Sequence, residues 1–130
     1  MSPPLWKTLV DKLKSEGFES PYLDRLAAAG ARFDRAAPRL SLEREIVAEM
    51  AEALGRSEQK VNLALLELEL SARELDRATT DEERRSRAAE YNRRREHARR
   101  MRWELQVHRD ALGFHRHEDL DLYYPIPPAR

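Results

Sequence analysis

A heptad repeat that covers the middle of the chain is the feature that most constrains its fold. Two neighbouring segments each carry apolar residues spaced by seven: Val47, Leu54, Val61, Leu68 and Leu75, then Tyr91, Ala98, Leu105 and Leu112. Such spacing is typical of helices that wind around one another in a left-handed coiled coil. It predicts two long helices, over residues 41–79 and 80–113.

The junction between the two repeats predicts a tight reversal at Ala78–Asp81. Thr80 followed by Glu83 forms a capping box, in which the hydroxyl and the carboxylate each accept a backbone amide that the first helical turn leaves unpaired. Because so few residues separate the two helices, they are expected to return antiparallel. The predicted unit is a long helical hairpin over residues 41–113.

Reflection about this turn brings the two apolar seams into register. The expected neighbours are Leu68 with Tyr91, Val61 with Ala98, and Leu54 with Leu105. The charges agree, since residues 41–79 carry nine acids and five bases, whereas 81–116 carry eleven arginines and seven acids. An acidic helix beside a basic one favours this pairing over a pairing with its own copy.

Residues 1–40 predict two shorter helices. The first has an apolar stripe of Leu5, Trp6, Leu9, Val10 and Leu13, and the second begins at the Ser20-Pro21 cap and stops at Pro38. At the open end of the hairpin, the long helices carry further apolar residues away from their seam: Trp103, Val107 and Phe114, with Leu42, Ile46 and Ala53. We therefore expect the short helices to pack at this base as a four-helix bundle.

Residues 114–130 are predicted to be an extended tail, because three of the four residues 125–128 are proline. Tyr123, Tyr124 and Ile126 are expected to fold back over the base of the bundle. Binding of the tail to an aromatic groove of another protein is the alternative. The whole chain of 130 residues is interpreted as a single all-α domain.

Composition narrows the function classes. The formal net charge is zero, which gives no overall attraction to nucleic acid or to acidic membranes. There is no cysteine, hence no disulfide and no thiolate metal site, and no apolar run reaches the length of a membrane span. A cytoplasmic protein is the expectation.

Leu63, Leu66 and Leu70 are apolar residues in addition to those of the hairpin seam, and they are the most informative for function. They lie opposite the seam of the first long helix, where a hairpin alone leaves them exposed, and monomers seldom expose such patches. The sequence predicts a partner surface here, most simply that of a symmetric homodimer. The alternative is that one of the short helices lies along the arm and covers these leucines.

A run of arginines between Arg93 and Arg102 suggests a second function. Arg95, Arg99 and Arg102 share one side of their helix, at a spacing suited to phosphates along a duplex. The competing interpretation pairs the run with glutamates of the first long helix, among them Glu58, Glu67 and Glu69. Nucleic-acid binding is accordingly the second hypothesis.

A metal site is the third hypothesis. Glu104 and His108 are helical neighbours that could chelate an ion together with Glu52 of the other long helix. The repeated Glu-x-x-His pairs of di-iron bundles are absent from the sequence. No catalytic motif is recognisable, so no catalytic residue, metal or cofactor is predicted. The leading expectation is a non-enzymatic helical interaction or scaffold protein, whose partner and pathway the sequence leaves open.

Overall fold

The computed structural model describes residues 5–33 and 42–130, and every regular element in this part of the chain is a helix. The elements are α1 (Leu5–Ser15), α2 (Pro21–Phe33), α3 (Leu42–Asp76), α4 (Asp81–Ala111) and α5 (Glu118–Tyr123). The predicted all-α class is confirmed. The predicted stop at Pro38 and the first residue of the predicted third helix, Ser41, lie outside the described residues. None of the described helices combines the length and apolar character needed to cross a membrane.

The reversal between α3 and α4 is built as the capping residues predict. The backbone amide of Glu83 donates to the Thr80 hydroxyl at 3.1 Å. The Glu83 carboxylate accepts the amide of Thr79 at 3.0 Å, one residue before the cap. These two hydrogen bonds fix where α4 begins, and the one from the Thr79 amide holds the pKa of Glu83 below its ordinary value.

The contacts between α3 and α4 run in opposite order along the two helices. Arg87 donates to the Glu74 carbonyl at 2.7 Å near the turn, Arg94 binds Glu67 further along, and His108 meets Ser57 furthest from the turn. The two helices are therefore antiparallel. Five of the nine predicted seam residues, Val61, Leu68, Tyr91, Ala98 and Leu105, share one buried core with Ala64, Leu65 and Leu120, and Leu54 and Leu75 pack against it.

The two short helices do not pack at the base of the long pair, so that prediction is wrong. They pack against the middle of α3, on the face turned away from α4. The Ser20 hydroxyl donates to Glu69 at 2.5 Å, and the Arg73 guanidinium lies 4.9 Å from the centre of the Phe18 ring. A second core forms there from Val10, Leu13, Leu23, Leu26 and Leu66.

The middle of α3 is consequently the central layer of the fold, with α4 on one side and α1 and α2 on the other. A helix in that position needs apolar residues on opposite faces. This explains why residues 61–70 are dense in leucine and partly alternate, a pattern that resembles a strand. Leu65 faces the first core and Leu66 faces the second, and both are fully buried.

Gly113 ends α4 with a left-handed backbone, at φ 92°. The amide of Gly113 donates to the Asp110 carbonyl and that of Phe114 donates to the Arg109 carbonyl, at 3.0 and 2.9 Å. This is the Schellman arrangement, which satisfies carbonyls that the last helical turn leaves free. It redirects the chain back along the helix pair.

The segment 114–130 is not extended throughout, in contrast to the prediction. Residues 118–123 form α5, whose Leu120 is buried in the core between α3 and α4. Glu118, Asp119 and Asp121 occupy the first turn, where carboxylates favour helix formation. Residues 114–117 and 124–130 lack regular structure, and residues 124–130 run back along α4 towards the turn.

Candidate interaction surface

The predicted partner patch at Leu63, Leu66 and Leu70 is covered within the chain. Leu66 is fully buried, and Leu63 and Leu70 are partly buried against the core formed with α1 and α2. The prediction of an exposed leucine surface is therefore wrong. The reason is physical: the short helices bring their own apolar stripes to this face, where each leucine gains more burial than it has on a bare hairpin.

Two of the three arginines proposed for nucleic acid hold the tail of the chain. Arg95 donates to the Pro127 carbonyl at 2.7 Å, and Arg102 donates to the Tyr124 carbonyl at 3.1 Å and binds Asp121. Arg99 pairs with Glu96 of its own helix at 3.1 Å. Arg95 and Arg102 are therefore engaged within the chain, whereas Arg99 pairs only with an exposed neighbour.

The tail lies in cis along α4, held by its backbone. The Tyr91 hydroxyl donates to the Pro128 carbonyl at 3.1 Å. The Asn92 amide group donates to the Arg130 carbonyl at 2.7 Å and accepts the Arg130 backbone amide at 3.0 Å. Tyr124 and Ile126 pack against the core between α3 and α4, whereas Tyr123 stays half exposed. The tail thus covers the middle of the helix pair, not the base for which it was predicted.

Arg25 of α2 joins three parts of the fold, and sequence reasoning missed it. Its guanidinium donates to the Tyr123 carbonyl at 2.7 Å and to Asn62 at 3.4 Å. It also lies within 5.5 Å of the ring centres of Tyr22, Tyr123 and Tyr124. Cation–π contacts with three rings tie α2 to the tail. The tyrosine pair near the C-terminus was the only sequence signal for such a cation site.

Burial raises the pKa of both Tyr22 and Tyr124. For Tyr22 the charge of Glu69 adds to the effect of burial, and for Tyr124 the charge of Glu58 does, while Arg25 opposes the shift in both cases. Burial also raises the pKa of Glu69. These shifts therefore report the packing of α2 and the tail against α3.

The predicted metal-ligand neighbours do not converge. The imidazole of His108 contacts the buried hydroxyl of Ser57, which fixes the level at which α4 meets α3. Among the described residues no group of three or more His, Asp or Glu side chains could hold a metal ion. Glu52 is exposed on a stretch of α3 that lies beyond His108.

Two histidines near the end of α4 pair with one carboxylate instead. Asp110 is 2.7 Å from His117 Nε2 and 3.6 Å from His115 Nδ1. The hydrogen bond to His117 holds the pKa of Asp110 below its ordinary value of 3.8. Beside this pair, Arg109 binds Asp119 at 3.0 Å. The cluster fastens the start of α5 to the end of α4.

The described structure has two surface hollows next to α4. One of about 250 Å³ lies between α3 and α4, where its charged walls are joined by the Arg94–Glu67 and Arg94–Glu90 pairs. The other, of about 610 Å³, is bounded by Phe114, Leu122 and Arg109. Arg109 is already bound to Asp119, so its charge is compensated.

The first twelve residues of α3 extend beyond the end of α4. His108 is level with Ser57, and α4 ends three residues later at Ala111, whereas α3 starts fifteen residues before Ser57. At 1.5 Å per residue, about 18 Å of α3 therefore has no α4 beside it. We call residues 42–53 the overhang. It is the base that the sequence predicted to be covered by α1 and α2.

Two apolar side chains of the overhang are exposed on the side where α4 packs further along the helix. Leu54 contacts the core between α3 and α4, and Met50 and Ile46 follow it at intervals of four residues along the same stripe. Met50 is 44% exposed and Ile46 50% exposed. The seam therefore continues into the overhang after its partner helix has ended.

A second exposed apolar pair lies on the outer side of α4. Leu105 faces the core, and Trp103 and Val107, two residues before and after it, face away from α3. Trp103 is 63% exposed and Val107 42% exposed. We call these two residues the outer stripe. Both residues were predicted to lie under the short helices.

Comparisons of the chain with models of protein families, with curated proteins and with solved structures found no match.

Proposed function

We propose that this protein is a helical interaction protein without enzymatic activity, which associates with itself through the overhang of α3. The observation that carries the proposal is the exposure of Ile46 and Met50 on the seam side of a helix whose partner has ended. A further helix laid against the overhang would bury both side chains. Full burial of a side chain of this size stabilises an assembly by about 1.5–3 kcal/mol.

The coiled-coil character of the long helices belongs to this proposal. The heptad spacing of α3 predicts a left-handed supercoil with α4, and Val47 continues that spacing into the overhang. A partner helix that follows the same seam would extend the supercoil without any change in the path of α3. Association of this kind needs no rearrangement of the core.

The absence of enzymatic activity is proposed from the roles of the titratable groups. Catalytic groups commonly have shifted pKa values in a cleft. Among the described residues, each shifted pKa has a structural cause: a helix cap for Glu83, ion pairs for Glu90, and burial for Tyr22, Glu69 and Tyr124. The Asp110 shift comes from a pair that fastens α5. A cytoplasmic location is part of the same proposal and rests on the cysteine-free sequence.

Sedimentation equilibrium over a range of protein concentrations tests the proposal. The wild-type chain should move from 15.2 kDa towards twice that mass as its concentration rises. The double variant Ile46→Glu/Met50→Glu should remain at 15.2 kDa with an unchanged helical circular dichroism spectrum. Leu122→Glu is the matched control, because Leu122 is 74% exposed and lies outside the overhang.

Two results would contradict the proposal. One is a wild-type chain that keeps the monomer mass at every concentration. The other is a folded double variant that keeps the wild-type mass. The corresponding change at Leu66 does not serve as a test, because a carboxylate at that fully buried position is expected to unfold the chain.

A further inference from the structure

We infer that the helix which covers the overhang is α4 of a second copy, whose outer stripe of Trp103 and Val107 receives Ile46 and Met50. The inference rests on the proposed self-association and names its second surface. Both surfaces are present on every copy. Each subunit would then insert its own overhang and receive that of its partner.

The two surfaces match in size and shape. Ile46 and Met50 lie one helical turn apart, and so do Trp103 and Val107. All four side chains are more than 40% exposed. Two helices that present apolar pairs with the same spacing can interlock side chain into groove over one turn. Trp103 is the larger side chain of the outer stripe, and aromatic residues of this kind are enriched among the anchors of protein interfaces.

The overhang is acidic, whereas the outer stripe has arginines before it and the acids Glu104 and Asp110 beside it, the latter paired with His117. The overhang contains four acids and one base, and three of the acids, Glu45, Glu49 and Glu52, are exposed. Exposed arginines precede Trp103 on α4. Arg100 forms no ion pair with any described residue, and Arg99 pairs only with Glu96, with both side chains more than half exposed. Opposite charges at the rim of an apolar contact select its partner and its orientation.

The same charges disfavour the simplest competing contact, in which two overhangs pack against each other. That contact would bring the three acids of one copy beside the same three acids of the other. Like charges placed together across an interface are repulsive. Charge therefore favours α4 of the second copy over its overhang as the occupant.

The arrangement closes with two-fold symmetry. Since His108 is level with Ser57, the outer stripe lies about twelve residues, or 18 Å, along the helix pair from the centre of the overhang. A two-fold axis perpendicular to the helices, placed halfway between the outer stripe and the centre of the overhang, brings each overhang to the outer stripe of the other copy. Both contacts form at once, which is the reciprocal geometry of a closed dimer.

Site-directed cross-linking tests this arrangement cleanly, because the chain contains no cysteine. The variants Met50→Cys and Val107→Cys are mixed and treated with a short bismaleimide, so that every cross-link joins two copies. We expect a cross-link between positions 50 and 107, identified by mass spectrometry of the digested product. Ser86→Cys, at an exposed position of α4 near the turn, is the matched control and should give no product with Met50→Cys.

Charge reversal is a second test of the contact between the overhang and the outer stripe. Glu45→Arg with Glu49→Arg should weaken dimerisation by about tenfold, and adding Arg99→Glu with Arg100→Glu should restore most of that loss. All four side chains are exposed, so the fold should survive each change. Restoration by the second pair would link the acidic and basic rims directly.

The outcomes separate this inference from the proposed function. A cross-link formed only between two copies of Met50→Cys would overturn the inference and leave self-association through the overhang intact. A stable dimer with no cross-link between 50 and 107 would also overturn it. If Ile46→Glu/Met50→Glu keeps the wild-type mass, the proposed function itself fails.

Discussion

The middle of α3 and its overhang belong to one continuous helix and meet opposite environments. Residues 61–70 have α4 on one side and α1 with α2 on the other, and Leu65 and Leu66 are fully buried. In the overhang, the seam continues through Met50 and Ile46, but these side chains remain about half exposed. Apolar character alone therefore does not distinguish the two regions. The position of the neighbouring helices does.

The difference follows from where each neighbour ends. Gly113 stops α4 shortly after His108 meets Ser57, and the chain then turns back into α5. On the other face, the Ser20–Glu69 and Arg25–Asn62 contacts hold α2 against the middle of α3. A surface for a partner arises where a long helix extends beyond the helices packed against it.

The largest expected effect comes from truncating one leucine in the covered region. Leu66→Ala should lower the free energy of unfolding by about 3 kcal/mol, because it leaves a cavity in the core between α3 and the short helices. Met50→Ala in the overhang should lower it by less than about 1 kcal/mol at concentrations where the chain is monomeric. Urea unfolding followed by circular dichroism measures both. Equal losses for the two variants would contradict the assigned burial.

A smaller loss is expected at the joint between α2 and the tail. Arg25→Ala removes hydrogen bonds to Tyr123 and Asn62 together with the cation–π contacts, and should cost about 1–2 kcal/mol. Hydrogen exchange should accelerate in residues 120–130 more than in α4. Arg25→Lys is the matched control: it keeps the charge without the planar fork, and should recover only part of the loss. Unchanged exchange in the tail would show that Arg25 does not hold it.

Replacing each of two glycines by alanine should change the free energy of unfolding by about 1 kcal/mol, in opposite directions. Gly55 lies within α3 where the overhang joins the middle, and an added methyl group meets nothing within 4 Å, so Gly55→Ala should stabilise the helix. Gly113 has space for a methyl group but a φ of 92°, so Gly113→Ala should destabilise through backbone strain. Thermal unfolding of both variants measures the difference. A stabilising Gly113→Ala would contradict the left-handed end of α4.

The smallest effect is expected at alkaline pH. Because burial raises the pKa of Tyr124 above its ordinary 10.0, an unfolded chain ionises this hydroxyl at a lower pH than the folded one. The resulting stability is present below pH 10 and is lost as the pH rises from 10 through the raised pKa. Tyr124→Phe should therefore lose less stability than wild type between pH 8 and about 10.5. Urea unfolding at both pH values tests this, and parallel losses would place Tyr124 in solvent.

The sequence predicts the local structure of this chain well where a single residue type has a defined structural role, such as a helix cap. The cap of Thr80 and the Ser20-Pro21 start of α2 are where the pattern indicates, and Gly113, the last residue of the predicted helix, ends α4. Five of the nine seam residues also enter one core, and two more pack against it. Each of these features depends on neighbours within a few residues or on a regular spacing, which the sequence contains directly.

The packing of the short helices could not be predicted in the same way. An apolar stripe shows which face of α1 or α2 is buried, but not which of two apolar surfaces on the long helices covers it. Leu63, Leu66 and Leu70 offered one surface and Ile46 with Trp103 the other, and polar contacts such as Ser20 with Glu69 accompany the first. Helix α5 was missed because the prolines beside it suggested an extended tail. The arginines of α4 were misinterpreted because their acceptors are backbone carbonyls of that tail.

Hydrogen exchange of the 130-residue chain at low and high protein concentration tests whether the overhang acquires a partner helix. Amides of residues 45–53 should exchange more slowly at high concentration, because the partner helix covers them. Amides of residues 61–70 should be equally protected at both concentrations, because their partners belong to the same chain. Concentration-dependent protection of residues 61–70, with no change in the overhang, would contradict the account.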